Sequence, residues 1–354
     1  MNVPSVLTRH RALRWLVPAG IGGIVAVASV VLQTDTTQSR GLPRMTPAAL
    51  LADVQAAPTT GFSGTVLSRV SLGLPELPSL GGGSGDRTPL TALLSGSHTV
   101  QVWYGGADEQ RVALLGALDE TDIFRSGRQL WLWNSSDRVA QHAVLPARPA
   151  SDPIASAAPT VSPSALASQV LAAVSPTTQV QVRTGERIAD RNAYELTLTP
   201  RTSATRVASV QISVDASTKL PLAVRVYARG SSSPSIDVAF TSVRFTAPAT
   251  TFFTFSPPSG AAVRPLEVGA DIARMVGTGT RVVGSGWTRV VELDTRKAVN
   301  VSHGELKQLL TPVSGRWGSG GLLQSSLVSV LVTSKGRIFA GAVDPAALYA
   351  AAAK

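Results

Sequence analysis

Ala193-Tyr194-Glu195-Leu196-Thr197-Leu198-Thr199-Pro200 alternates apolar and polar side chains with a period of two, the mark of a strand with one dry face and one wet face. The alternation returns at Val210-Gln211-Ile212-Ser213-Val214. Outward from these, strand-like segments fall at 180–186, 193–200, 207–214, 220–228, 236–245 and 252–255. Earlier ones fall at 61–74, 98–104, 110–115, 121–125 and 129–134. The last four recur about every ten residues, with Gly105-Gly106, Gly116 and Ser126-Gly127 between them, which reads as an antiparallel meander. Two helices are announced by a hydroxyl followed by proline. Thr46-Pro47 opens 46–57, with Leu50, Leu51 and Val54 on one stripe, and Ser162-Pro163 opens 162–174, with Leu166, Val170 and Leu171 on one stripe. The fold class is α+β: a large curved antiparallel sheet covered by helices on its concave side. A sheet this long must twist and coil, so the concave face is either plugged by helices or left hollow.

Composition narrows the function. The chain has 354 residues, 44% hydrophobic and 15% charged, with 31 Gly, 23 Pro and no cysteine. That excludes a disulfide scaffold, a Cys-ligated metal site and lipid attachment through cysteine. Its 32 basic residues are 27 Arg and 5 Lys, and setting aside Arg9, Arg11 and Arg14 lowers the net charge from +10 to +7. With no run of five basic residues, the charge fits a surface facing anionic lipid or cell-wall polymer better than one reading nucleic acid. The four histidines, at 10, 98, 142 and 303, are never three or four apart, so no metal site is expected. No G-x-S-x-G elbow is present, and Gly81-Gly82-Gly83-Ser84-Gly85 lacks the Gly-Lys-Ser/Thr of a phosphate loop. No catalytic residue and no cofactor is assigned.

Residues 1–32 read as an address. Arg9, His10, Arg11 and Arg14 precede an uncharged stretch over 16–32, which is the pattern of a signal peptide or of an N-terminal membrane anchor (transmembrane helix). Positive charge ahead of the apolar stretch directs everything after it to the extracytoplasmic side, in the cell envelope. Ala26-Val27-Ala28 is compatible with cleavage, while the apolar residues beyond it favour retention.

Five segments, in order along roughly residues 46–263, resemble the LolA-like superfamily of extracytoplasmic lipid and lipoprotein carriers, actinobacterial members in particular, and the large domain of RseB-type sigma-factor regulators. They are Gly61-Phe62-Ser63-Gly64-Thr65-Val66; Ile123 to Ser135 with its Gln129-Leu130-Trp131-Leu132-Trp133; Ala193 to Arg201; Val214-Asp215-Ala216-Ser217-Thr218-Lys219-Leu220-Pro221-Leu222; and Phe253-Thr254-Phe255-Ser256-Pro257-Pro258-Ser259-Gly260-Ala261. The resemblance implies an open half-barrel whose hydrophobic hollow takes up an acyl chain beneath mobile helices, without catalysis. It also implies a partner that is a lipid or an acylated lipoprotein or, in the RseB-like alternative, the exported part of an anti-sigma factor. Residues 265–354 follow as a small α+β unit, with strands over 285–291, 327–332 and 336–343, a short helix over 303–310 and an Ala-rich helix from Asp344-Pro345.

The expected cavity wall is Trp103, Phe124, Trp131, Trp133, Leu196, Leu198, Val224, Val226 and Phe240, and the six stripe residues above form the lid. Each aromatic has a plainer reading as ordinary core, since large aromatics are mostly interior in any fold. Trp131 and Trp133 share one face of their strand while Leu130 and Leu132 take the other, so both faces there are apolar. Arg111, Arg125, Arg128 and Arg225 flank strands and are candidates to meet a lipid phosphate at the rim.

Overall fold

The computed structural model describes residues 41–57, 61–73, 95–116, 119–145, 177–266, 281–294 and 310–354. Residues 1–32 lie outside these, as do Leu166, Val170 and Leu171 of the second lid helix, the insertion at 75–89 and most of the expected helix at 303–310. Among the described residues no helix is long and apolar enough to cross a membrane.

Helix α1 (Pro47–Ala56) starts where expected, with the Thr46 hydroxyl accepting from the Ala49 N–H at 3.2 Å and proline in the first turn. Eleven strands follow: β1 (Phe62–Val70), β2 (Gly96–Gly106), β3 (Glu109–Leu115), β4 (Glu120–Ser126), β5 (Gln129–Asn134), β6 (Val139–Val144), β7 (Thr178–Ile188), β8 (Arg191–Pro200), β9 (Val207–Asp215), β10 (Pro221–Ala228) and β11 (Pro234–Arg244). Short β12 (Ala262–Pro265) completes a curved, open sheet in the order β12-β6-β5-β4-β3-β2-β1-β11-β10-β9-β8-β7. Every pair in it is antiparallel except β12 with β6.

Two differences from the sequence reading bear on the site. β6 is an additional strand, and Phe252 and Phe253 are not in a strand: Thr250–Phe252 is a 3-10 turn within a strap, residues 245–261, that leads from β11 to β12 at the far edge. An unalternating cluster of aromatics looks the same in sequence whether it lies in a ladder or across one.

A second sheet holds β13 (Arg281–Val283), β14 (Val290–Asp294), β15 (Thr311–Gly315), β16 (Gly318–Gln324), β17 (Ser329–Thr333) and β18 (Arg337–Gly341), in the order β13-β14-β18-β17-β16-β15. Helix α2 (Pro345–Ala352) packs Leu348, Ala351 and Ala352 on Leu331 and Phe339. The sheets meet at a seam of polar and apolar contacts. Thr205 bridges Val343, Arg206 pairs with Asp344 at 2.9 Å, Trp287 Nε1 donates to the Thr178 hydroxyl at 2.8 Å, and Leu327 is buried in the core of the first sheet.

Turns lock the ladder. Arg191 clamps both carboxylate oxygens of Asp215 at 2.5 and 2.9 Å, and the same carboxylate accepts from the backbone N–H and hydroxyl of Thr218. Burial pushes this carboxyl up, but Arg191 and Thr218 outweigh it and hold it below the usual range. The β7–β8 hairpin turns through Ala189 and Asp190, both left-handed at φ +49° and +60°. Aspartate tolerates that region, but alanine does not, because its Cβ crowds the next carbonyl. Ala189→Gly is therefore expected to stabilise the fold by roughly 0.5–1 kcal/mol, the relieved strain less the added chain entropy, measured as a raised denaturation midpoint at unchanged slope.

Candidate functional site

Directly paired residues of an antiparallel ladder project to the same side, so the register shows which side chains share a face. Phe62 pairs with Tyr104, Val66 with Phe240, Val224 with Val238 and Ile212, and Leu196 with Ile212. Leu196, Leu198, Val224, Val226 and Phe240 thus stand on one face with Phe62, Val66, Ile212 and Val238, and belong to one continuous core. α1 covers this face. Leu50 is 0% exposed within the core, while Leu51 and Val54 are half-buried against it.

The aromatics are elsewhere. Trp103 pairs with Arg111, Arg111 with Phe124, Phe124 with Trp131 and Trp131 with His142, while Trp133 pairs with Asp122 and Ala140. Because Trp103 adjoins Tyr104, whose ring stacks on Phe62 at 5.3 Å, this row projects from the opposite side of the sheet. The structure therefore does not bring the nine expected wall residues together: five face the helix and four face away from it.

The four that face away are covered by the strap. Phe255 lies 4.8 Å from Phe124, 5.5 Å from Trp131 and 5.8 Å from Trp133, and Phe252 stacks on Trp103 at 5.7 Å. Phe253 is 1% exposed, and a Cβ on Gly105 would stand 2.8 Å from its ring, so only glycine lets the strap approach so closely. Arg111 lies over both Trp103 and Phe124 at 4.7 Å and pairs with Asp122 at 2.8 Å and Glu120 at 3.2 Å. Burial pushes the Asp122 carboxyl up to about 6; Glu120 adds to the rise and Arg111 opposes it.

The four arginines expected at the rim are engaged within the sheet. Besides Arg111, Arg125 pairs with Asp108 at 2.8 Å and Arg225 with Glu186 at 2.6 Å and Asp237 at 3.3 Å, while Arg128 donates to the Leu145 carbonyl at 2.6 Å. A recess of about 420 Å³ opens elsewhere, lined by Arg44, Met45, Val182, Arg183 and Thr184, between the lead-in to α1 and the edge strand β7. Sequence reasoning missed Arg44 and Arg183, because no motif ties residues so far apart. Among the described residues no cluster of His, Asp and Glu could hold a metal ion.

Comparison with solved structures finds distant similarities. MucB bound to MucA(peri) is 16% identical with a TM-score of 0.44, covering 87% of this chain and 97% of that one. The Pseudomonas aeruginosa MucA/MucB complex gives 17%, 0.43, 86% and 95% on the same measures. A LolA superfamily protein from Nitrosomonas europaea is 14% identical with a TM-score of 0.23, covering 60% of this chain and 99% of that one. At these identities the likeness is one of fold. No family model and no curated protein matches the sequence.

Two measurements probe the strap face. Phe253→Ala is expected to cost roughly 3–5 kcal/mol in chemical unfolding, and Phe252→Ala, at a site 41% exposed, under about 1 kcal/mol. Asp122 titrates near 6 when folded and near 3.8 when unfolded, so the folded state binds the extra proton between those values. Stability should therefore rise as pH falls from about 7 to about 5, and Asp122→Asn should remove that rise.

Proposed function

We propose that the chain is an extracytoplasmic binding protein that holds a lipid, or the acyl chain of a lipoprotein, against the helix-covered face of its large sheet, and that it carries out no catalysis. The proposal takes residues 46–263 as the lipid-binding domain and 265–354 as the small C-terminal domain, with 1–32 as signal peptide or membrane anchor. β12 extends the large sheet to Pro265. The observation that carries the reading is a largely apolar face roofed by a ten-residue helix that buries Leu50 completely.

Magnitudes make this a workable lid. A helix of ten residues is marginal alone and owes its stability to packing. Exposing Leu50 costs about 2 kcal/mol, which roughly three buried methylenes of an acyl chain offset at about 0.8 kcal/mol each. Displacement of α1 by the chain is thus affordable on packing grounds. Leu196, Leu198, Val224, Val226 and Phe240 would touch the ligand; Trp103, Phe124, Trp131 and Trp133 would hold the sheet's back rigid. The second lid helix would add Leu166, Val170 and Leu171.

A second reading, a regulator that clasps the exported part of an anti-sigma factor and responds to lipid, draws on the polar contacts of the seam between the sheets, the Arg206–Asp344 pair and the Trp287–Thr178 hydrogen bond, which a partner segment could replace. Native mass spectrometry of gently purified protein is expected to show a lipid adduct, and Leu50→Ala should speed lipid exchange while lowering stability by about 2–4 kcal/mol. Protein that is consistently empty after contact with lipid, while retrieving a membrane-spanning regulator, would replace carriage by the second reading.

A further inference from the structure

The small unit closes one end of the large sheet's apolar face. Val70, Ile236, Val226, Val210, Leu198 and Val180 stand in register as one apolar row across β1 and β11 to β7. Beyond that row lie Leu72, Ala228 and Val207, all buried in the same core. The turn between β16 and β17 sits against this end. Its Ser326 N–H donates to the Leu72 carbonyl at 2.7 Å, the Ser326 hydroxyl donates to that of Ser235 at 3.0 Å, and the Ser326 carbonyl accepts from Arg206 Nε at 3.3 Å. One residue thus ties the turn to the ends of β1, β11 and β9. Leu327 follows and is 4% exposed. Although it belongs to the small sheet's chain, it is buried in the large sheet's core and not with Leu322, Leu331 and Phe339 in its own.

The turn that presents Leu327 is stiff. The Ser325 hydroxyl accepts from the backbone N–H groups of Val328 at 2.9 Å and Leu327 at 3.3 Å, and the Ser325 N–H donates to the Val328 carbonyl at 2.8 Å. A serine bonded to its own turn in this way fixes the backbone on both sides of the side chain between. Val328, Trp287 and Ala342 pack against the same core. A loose loop tip would yield to a ligand; this one cannot move without breaking its bonds to three strand ends.

We infer that Leu327 is a specificity-determining residue, the stop on which the far end of a bound acyl chain rests, so that the small unit sets the longest chain the large sheet accepts. The inference rests on the proposed lipid-binding reading and adds to it a selection by chain length. Each further methylene buried in an apolar trough raises affinity by about four-fold until the trough is full. The next one must push packed side chains aside or stay in water. Where the wall stands decides where the rise ends.

The test uses the whole chain and an equimolar mixture of saturated fatty acids from decanoate to stearate, with the bound fractions read by native mass spectrometry. The unaltered protein should show a preferred length, its occupancy rising along the series and then falling. Leu327→Ala should move the preference longer by about two methylenes, roughly the reach of the side chain removed, and Leu327→Phe should move it shorter. Ser326→Ala loses a hydrogen bond of the seam but leaves the stop in place, and should keep the original preference. Circular dichroism of each variant checks the fold; if Leu327→Ala unfolds, Leu327→Val should shift the preference the same way by about one methylene. A preference that neither Leu327 variant moves, an affinity lowered by the same factor at every length, or no preferred length in the unaltered protein overturns the stop and leaves acyl binding standing. Failure of the unaltered protein to bind any of the acids removes the lipid-binding reading and this inference together.

Discussion

The pairing of β1 with β11 is the contact on which the large sheet depends. Strands β1 to β6 form one run of neighbours and β7 to β11 another, and only the Ser63–Val70 ladder against Ile236–Arg244 joins them. Its register fixes Val66 opposite Phe240, and so sets which side of β2 to β6 continues the apolar face of β7 to β11. A slip of one residue would turn every side chain of one half to the wrong side. The bulge at Thr65/Val66 holds the register locally, and Gly64 beside it leaves room for the Phe240 ring.

From this follows a division of labour between the two faces. The helix-covered face is mainly aliphatic, with Phe62, Tyr194 and Phe240 and the buried Ser68 among its side chains, and its buried residues come from β1 to β3 and β7 to β11. The opposite face changes character along the sheet. Over β7 to β11 it is polar, with Glu186, Ser213, Arg225 and Asp237 linked by ion pairs and hydrogen bonds. Over β2 to β6 it is aromatic and would be exposed if the strap did not cross it. The strap also delivers β12 to the free edge of β6, so one segment both covers an apolar surface and caps an edge.

Much of the architecture was legible in sequence because alternation survives wherever one face is dry and the other wet. The segment from Ala193 to Pro200 and its neighbours over 207–214 and 220–228 show this. β6 was not legible, because Val139-Ala140-Gln141-His142-Ala143-Val144 alternates weakly, nor were β15 and β16, whose Gly and Ser residues resemble a loop. The candidate site was legible only in part, for a sharper reason. In β4 and β5 both faces are apolar, so local pattern cannot tell which of Leu130 and Trp131 faces the helix; a pairing more than a hundred residues away along the chain decides it. The recess lined by residues 44–45 and 182–184 escapes sequence reading for the same reason: proximity across the fold leaves no trace in spacing.

Among the described residues β7 ends the sheet, and an edge strand of eleven residues is long enough to template a second copy of the chain. This one is poorly suited to that use. A bulge between Thr184 and Glu186, built on Gly185 at φ +111°, breaks its regular repeat, and Arg183 and Arg187 stand exposed along it. A copy aligning itself in the antiparallel sense would bring like charges together across an irregular seam. Solubility as separate molecules is thus built into the strand that a polymer would otherwise use for growth.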